Sequence, residues 1–309
     1  VIQIAKKSRG RRRQRRVLSQ GLLVALSVFV LCGSLPADDT ALYWSISRDG
    51  EPVGRLLGTI HSEDPRVLDF PDPFVEELTS HRVFAMEMVP NLPTLARLTD
   101  YMHYQDGSLL AEVVGMERFE RLQHALSAYN MPPGWVDGMK VWAAVLTLSV
   151  PPSKSGFFMD LSLSLRAAGA GLQVIGLETL EQQLAFLEEM PIGQQLELLD
   201  HALAEHERVE DVHLLLVDSY LRGDLVKLEA LSNEQMTELS DEAREYFLRE
   251  GIDERNRRML ESMAPELAQG GVFVAVGALH LPGENGLVSL LRAGGYDLEP
   301  LPMPFSTPE

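Results

Sequence analysis

Cysteine is almost missing from this chain: Cys32 is the only one in 309 residues. It falls inside an N-terminal segment with the composition of a leader, so the remainder can form no disulfide and supplies no thiolate. Cysteine nucleophiles, Cys-rich zinc sites and iron–sulfur ligation are therefore excluded. Basic residues are scarce beyond the leader, with 19 Lys and Arg left against 45 Asp and Glu, a net charge of −26. Such a surface repels both nucleic acid and anionic lipid, so neither is expected as a partner. After residue 37 no run is long and apolar enough to span a membrane. No repeat of 20–50 residues occurs, which argues against a solenoid. A G-x-S-x-G nucleophile motif is also absent, and DHALAEHERVEDVH does not contain H-E-x-x-H.

Residues 1–37 hold eight cations from Lys6 to Arg16 and no acid, then the apolar run Gly21–Leu31, then CGSLPA. That order is expected of a secretory signal peptide and implies a periplasmic or secreted product. The alternative is an uncleaved N-terminal anchor in the inner membrane, its basic end in the cytoplasm. Residues 38–309 are expected to form a single domain.

The pattern predicts an α/β fold with a mainly parallel or mixed sheet and a large helical insertion. ALYWSIS and EPVGRLLGTIH read as strands around the Asp49-Gly50 turn. PDPFVEELTS reads as a helix, and VFAMEMV as a buried strand interrupted by Glu87. Residues 92–249 are mostly helical, broken by a strand in LQVIGL that ends at Glu178. GVFVAVGALH is a further strand, followed by a helix and a last strand within Tyr296–Leu301.

GTIH and GALH each end an apolar run with a histidine, His61 and His280. Alternation would place His61 with Thr59, and His280 with Ala278, at the carboxyl ends of strands, where open α/β sheets bind ligands. Glu87 would lie at the same edge. Two imidazoles and a carboxylate with open positions can hold a catalytic metal. Taken alone, G-x-x-H is also the pattern of a hydrogen-bonded structural histidine, and both readings stand at this point.

The paired G-x-x-H segments, MDLSLSLRAAGAGLQVIGLETLEQQL and ERNRRM together resemble the TraB/GumN family, to which the Tiki Wnt-inactivating proteases of animals belong. The family is similar in proposed fold to erythromycin esterases and haem-binding ChaN-like proteins. The resemblance implies a metal-dependent peptidase acting on a peptide or protein. His61, His280 and Glu87 would hold a divalent ion such as manganese, cobalt or zinc. A non-catalytic binder of peptide, metal or haem is the alternative use of the same cleft. Asp160, Glu178, Arg255 and Asn256 lie in the remaining matching motifs. Glu178 is either a base or further ligand, or a favourable charge at a helix start. Arg255 either steadies a carboxylate or oxyanion or makes a structural ion pair, and Asp160 is either in the site or a helix cap. His206 and His213 can share a helix face, which the surrounding acids mark as solvated. GENG is either an anion-binding helix start or simply a loop.

Overall fold

The computed structural model describes residues 40–132 and 134–305, so the expected leader lies outside the described residues. Six strands form one mixed sheet: β1 (Tyr43–Arg48), β2 (Glu51–Thr59), β3 (Val83–Met86), β4 (Gln173–Gly176), β5 (Val272–Gly277) and β6 (Asp297–Pro300), in spatial order β4-β3-β5-β2-β1-β6. β4, β3, β5 and β2 run parallel; β1 is antiparallel to both β2 and β6. The α/β fold expected from the sequence is what the chain adopts.

The central strands are apolar on both faces because helices cover both. All of β3 and β5 is buried, as continuous runs such as VFAM and VFVAVG require in a parallel sheet. The β1–β2 hairpin turns at Asp49 and Gly50, with φ of 54° and 81°, the left-handed pair that matches strand twist. The expected insertion is split in two. Helices fill the connection from β3 to β4 and again from β4 to β5, because β4 returns to the sheet edge between them.

Two expected boundaries shift at the carboxyl edge. β2 stops at Thr59 and β5 at Gly277, so His61 and His280 lie just beyond the ladder. Ala278–His280 form a 3₁₀ turn, and the alternation that paired His280 with Ala278 does not extend to them. The physical reason is tight packing against β2: a Cβ on Gly58 would lie 2.9 Å from the Ala278 Cα. Thus the glycine of GTIH lets the backbone of GALH turn beside it. Among the described residues no helix is long and apolar enough to cross a membrane.

Gly58→Ala should lower stability by about 1–3 kcal/mol in urea unfolding, because the backbone of the turn cannot move aside without breaking β5. A second expectation concerns Glu229 on the helix Leu225–Met236, whose carboxyl is pushed up to about 7 by burial. A raised carboxyl pKa means the folded state holds a proton that the unfolded chain releases, so stability falls as pH rises from about 4.5 to 7. Glu229→Gln should therefore stabilise the protein at pH 8 and lose that advantage by pH 4.5. Solvent screening of a half-exposed group limits the gain to about 1 kcal/mol, measurable from urea midpoints at both pH values.

Candidate functional site

Four adjacent parallel strands deliver four of the expected residues to one edge of the sheet. In-register pairs Met86 with Gly176, Met86 with Ala275, and Thr59 with Gly277 bring the strand ends level. Reading across, β4 leads to Glu178, β3 to Glu87, β5 to His280 and β2 to His61. Neighbouring strands lie roughly 4.8 Å apart, so the four backbones leave the sheet side by side.

Arg255 organises the Glu87 half. It stands on the helix Glu254–Gln269, which follows a π-helical turn, Phe247–Asp253. Its guanidinium, fully buried, donates Nη2 to Glu87 Oε2 at 2.7 Å and to Glu178 Oε2 at 2.6 Å, while Nε reaches Glu178 Oε2 at 2.9 Å. Glu87 also accepts the Gly277 amide at 2.7 Å and Gln183 Nε2 at 3.0 Å. Burial alone would raise the Glu87 carboxyl, but Arg255, His280 and the Gly277 amide outweigh it and hold the group down to about 2. Glu178 goes the other way: burial raises it, and Arg255 offsets this only in part. Of the two carboxylates facing one guanidinium, Glu178 is the one that takes a proton first. Glu178 does not cap the following helix, because Thr179 does so with a capping box to Gln182. Arg255 makes an internal ion pair, one of the alternatives the sequence left open.

His280, fully buried, sits beside this group. Asn256 donates Nδ2 to the Asn285 carbonyl at 2.8 Å, so its Oδ1 must accept from His280 Nδ1, at 2.6 Å. Asn285 in turn donates to Asp253 Oδ2 at 2.9 Å. GENG therefore serves as a brace: it carries Asn285, whose carbonyl and side chain steady Asn256 and Asp253. With its Nδ1 committed as donor, His280 turns Nε2 toward Glu87 Oε1, 3.8 Å away.

The His61 half is more open. The imidazole, 41% exposed, stacks on Phe158 with ring centroids 3.8 Å apart and planes 15° from parallel. Its Nδ1 is 3.8 Å from Asp160 Oδ2, and Asp160 Oδ1 accepts the Thr59 hydroxyl at 2.6 Å. Asp160 does not cap its helix, Met159–Gly169; Phe158 occupies that position, leaving the Asp160 side chain to the strand end.

His213 is the residue that sequence reasoning passed over. It is not on a solvated face. Its Nε2 lies 3.0 Å from the buried Ser62 hydroxyl, in the wall of a cleft that also holds His61. Burial, then the charge of His61, lowers its pKa. The acids of EDVH misled because Asp211 is exposed and Glu210 sits at the rim of the cleft whose wall His213 forms; the apolar Val212 and Leu216 were the available signal.

Imidazoles and carboxylates are suitable donors for a divalent ion. Asn256 fixes Nδ1 of His280 as the donor, so that in the neutral ring the lone pair lies on Nε2, the usual role of an outer partner. The 3.8 Å gap from that nitrogen to Glu87 is shorter than two metal–ligand bonds end to end, about 4.1 Å, so one ion can touch both atoms. His61 and Asp160 form a second imidazole–carboxylate pair at the same spacing. Among the described residues no three such side chains gather into one metal-holding group. His280 and Glu87 have donor types and a spacing that one ion could touch, whereas His61, on the neighbouring strand end, is not gathered with them into one group.

Known proteins resemble the chain over most of its length. The chain is 24% identical to the metalloprotease TIKI1 of Danio rerio over 86% of its length, covering 64% of that protein. It is 25% identical to the metalloprotease TIKI1 of Homo sapiens over 84% of its length, covering 61% of that protein. The uncharacterized protein YbaP of Shigella flexneri is 24% identical over 80% of the chain and 90% of its own length. This chain thus spans about six-tenths of the length of the Tiki relatives. No solved structure matches it. Residues 42–300, which contain the whole sheet and every residue described above, match the TraB/PrgY/gumN family, and the chain belongs to it.

Proposed function

We propose that this protein is an exported, metal-dependent hydrolase, a peptidase acting on a peptide or protein of the cell envelope. Family membership and the Tiki relatives support a distant metalloprotease-like function. The observation that carries the finer reading is the delivery of Glu178, Glu87, His280 and His61 to one edge by four adjacent parallel strands.

In this reading His280 and Glu87 would hold a divalent ion, with His61, from the neighbouring strand end, as the third proposed donor. Such an ion would polarise a scissile carbonyl and lower the pKa of bound water. The chain's own groups do the rest. Asn256 keeps His280 in the coordinating tautomer, and Arg255 keeps Glu87 ionised and fixed. Glu178, raised by burial and bonded to Arg255, is the more readily protonated of the two carboxylates. Asp160 orients His61 from the other side. The cleft beside His61 has a volume of about 160 Å³, well below the roughly 300–1,000 Å³ of pockets that enclose a whole small molecule. That size favours a peptide side chain over a porphyrin.

Purified protein reconstituted with manganese, cobalt or zinc and then dialysed should retain stoichiometric metal by elemental analysis, and His280→Ala should not. Cleavage of a peptide library should stop with chelator and in the His61→Ala/His280→Ala double variant. Unchanged cleavage in that variant would remove the assignment. Asn256→Ala should leave the far-ultraviolet circular dichroism spectrum intact and weaken metal binding roughly 10–100-fold, because His280 loses the bond that selects its tautomer.

A further inference from the structure

The cleft beside His61 has features that metal binding does not require. Its lining is largely apolar, with Pro151, Pro152, Leu214 and Phe158 beside the two imidazoles of His61 and His213. One wall is clamped. The carboxylate of Glu63 accepts the backbone amides of Lys154, Ser155 and Gly156 at 2.9, 2.7 and 2.9 Å, and the hydroxyls of Ser153 and Ser155. Glu63 follows His61 by two residues, so the turn that carries the imidazole also fixes the Ser153–Gly156 segment. The Met159 amide donates to the Ser62 carbonyl at 3.2 Å and ties down the start of the next helix.

The cleft is therefore already shaped before any ligand arrives, and a preformed site loses little entropy on binding. Its charge also discriminates. Glu63, Asp64 and Glu210 line it with one lysine, Lys154, whose ammonium lies 3.6 Å from Glu210 at the rim, while Arg66 pairs with Asp64 at 2.8 Å. An acidic side chain would enter against this field; an apolar one gains by leaving water.

Resting on the peptidase reading above, we propose that this cleft is the subsite for one aliphatic or aromatic side chain of the peptide substrate, next to the bond presented at the His61–His280 edge. It selects against acidic residues at that position. Glu63 is a positioning residue that holds the Ser153–Gly156 wall, and Leu214 sets the preference.

Capped pentapeptides Ala-Ala-X-Ala-Ala, with X as Ala, Leu, Phe, Glu or Lys, separate this proposal from the peptidase reading. Binding to the full chain without added metal is followed by methyl NMR, and cleavage is assayed separately after metal loading. Leu and Phe peptides should bind about tenfold tighter than the Ala peptide, with the Glu peptide weakest. Leu214→Asp, at a half-exposed position where the fold tolerates change, should abolish that preference and favour Lys. Glu63→Gln should raise KM for the Leu peptide with little change in kcat. Equal binding of Leu, Ala and Glu peptides, no binding of any of them, or a preference that survives Leu214→Asp would overturn the subsite. A preference without cleavage would keep the subsite and remove the peptidase. Cleavage without preference would do the reverse.

Discussion

The Arg255 guanidinium, buried between Glu87 and Glu178, is the interaction on which the site depends. It joins the helix Glu254–Gln269 to the ends of β3 and β4 through charge-assisted bonds of 2.6–2.9 Å. A guanidinium at this depth is tolerable only because two carboxylates meet it; removing one partner of such a pair typically costs about 3–5 kcal/mol. The same helix carries Asn256 one residue on, and Asn256 sets the tautomer of His280. One helix therefore fixes the charge state of Glu87 and the lone-pair direction of His280 together. The π-helical turn just before it places Asp253 to close the network through Asn285.

The other half of the site is built differently. His61 is held by an aromatic stack and a carboxylate at 3.8 Å, contacts weaker than the buried network around Arg255. It is also the half that opens to solvent. Rigidity on the Glu87–His280 side and access on the His61 side are what the proposed peptidase would need to keep its donors fixed while admitting a peptide. The Glu63 clamp extends this logic to the wall beyond His61, where backbone amides rather than side chains provide the fixed points.

Much of the fold was legible because its signals are local. The continuous apolar runs VFAM and VFVAVG, the Asp49-Gly50 turn and the helical spacing between 92 and 249 each report a neighbourhood of a few residues. The edge residues could be named because a glutamate at the end of an apolar run, or a histidine after a glycine-ended strand, is conspicuous against such a background. What each one touches was not legible. Glu178 and Arg255 had two readings apiece, and the choice between them rests on contacts between residues 77 positions apart in the chain. His213 was misread because its neighbours on the helix are acidic, whereas its partner Ser62 lies 151 residues away.

By itself the sequence determined the fold class, the strand positions, the acidic surface and the cast of edge residues. Hydrophobic period, turn chemistry and charge count act over short stretches and do not depend on the final packing. Only the tertiary structure decided which carboxylate is raised and which is lowered, which nitrogen of His280 faces Glu87, and that His213 belongs to the cleft. Those outcomes come from burial and from the direction of hydrogen bonds between distant segments. Both exist only once the strand order β4-β3-β5-β2 has brought the four ends together.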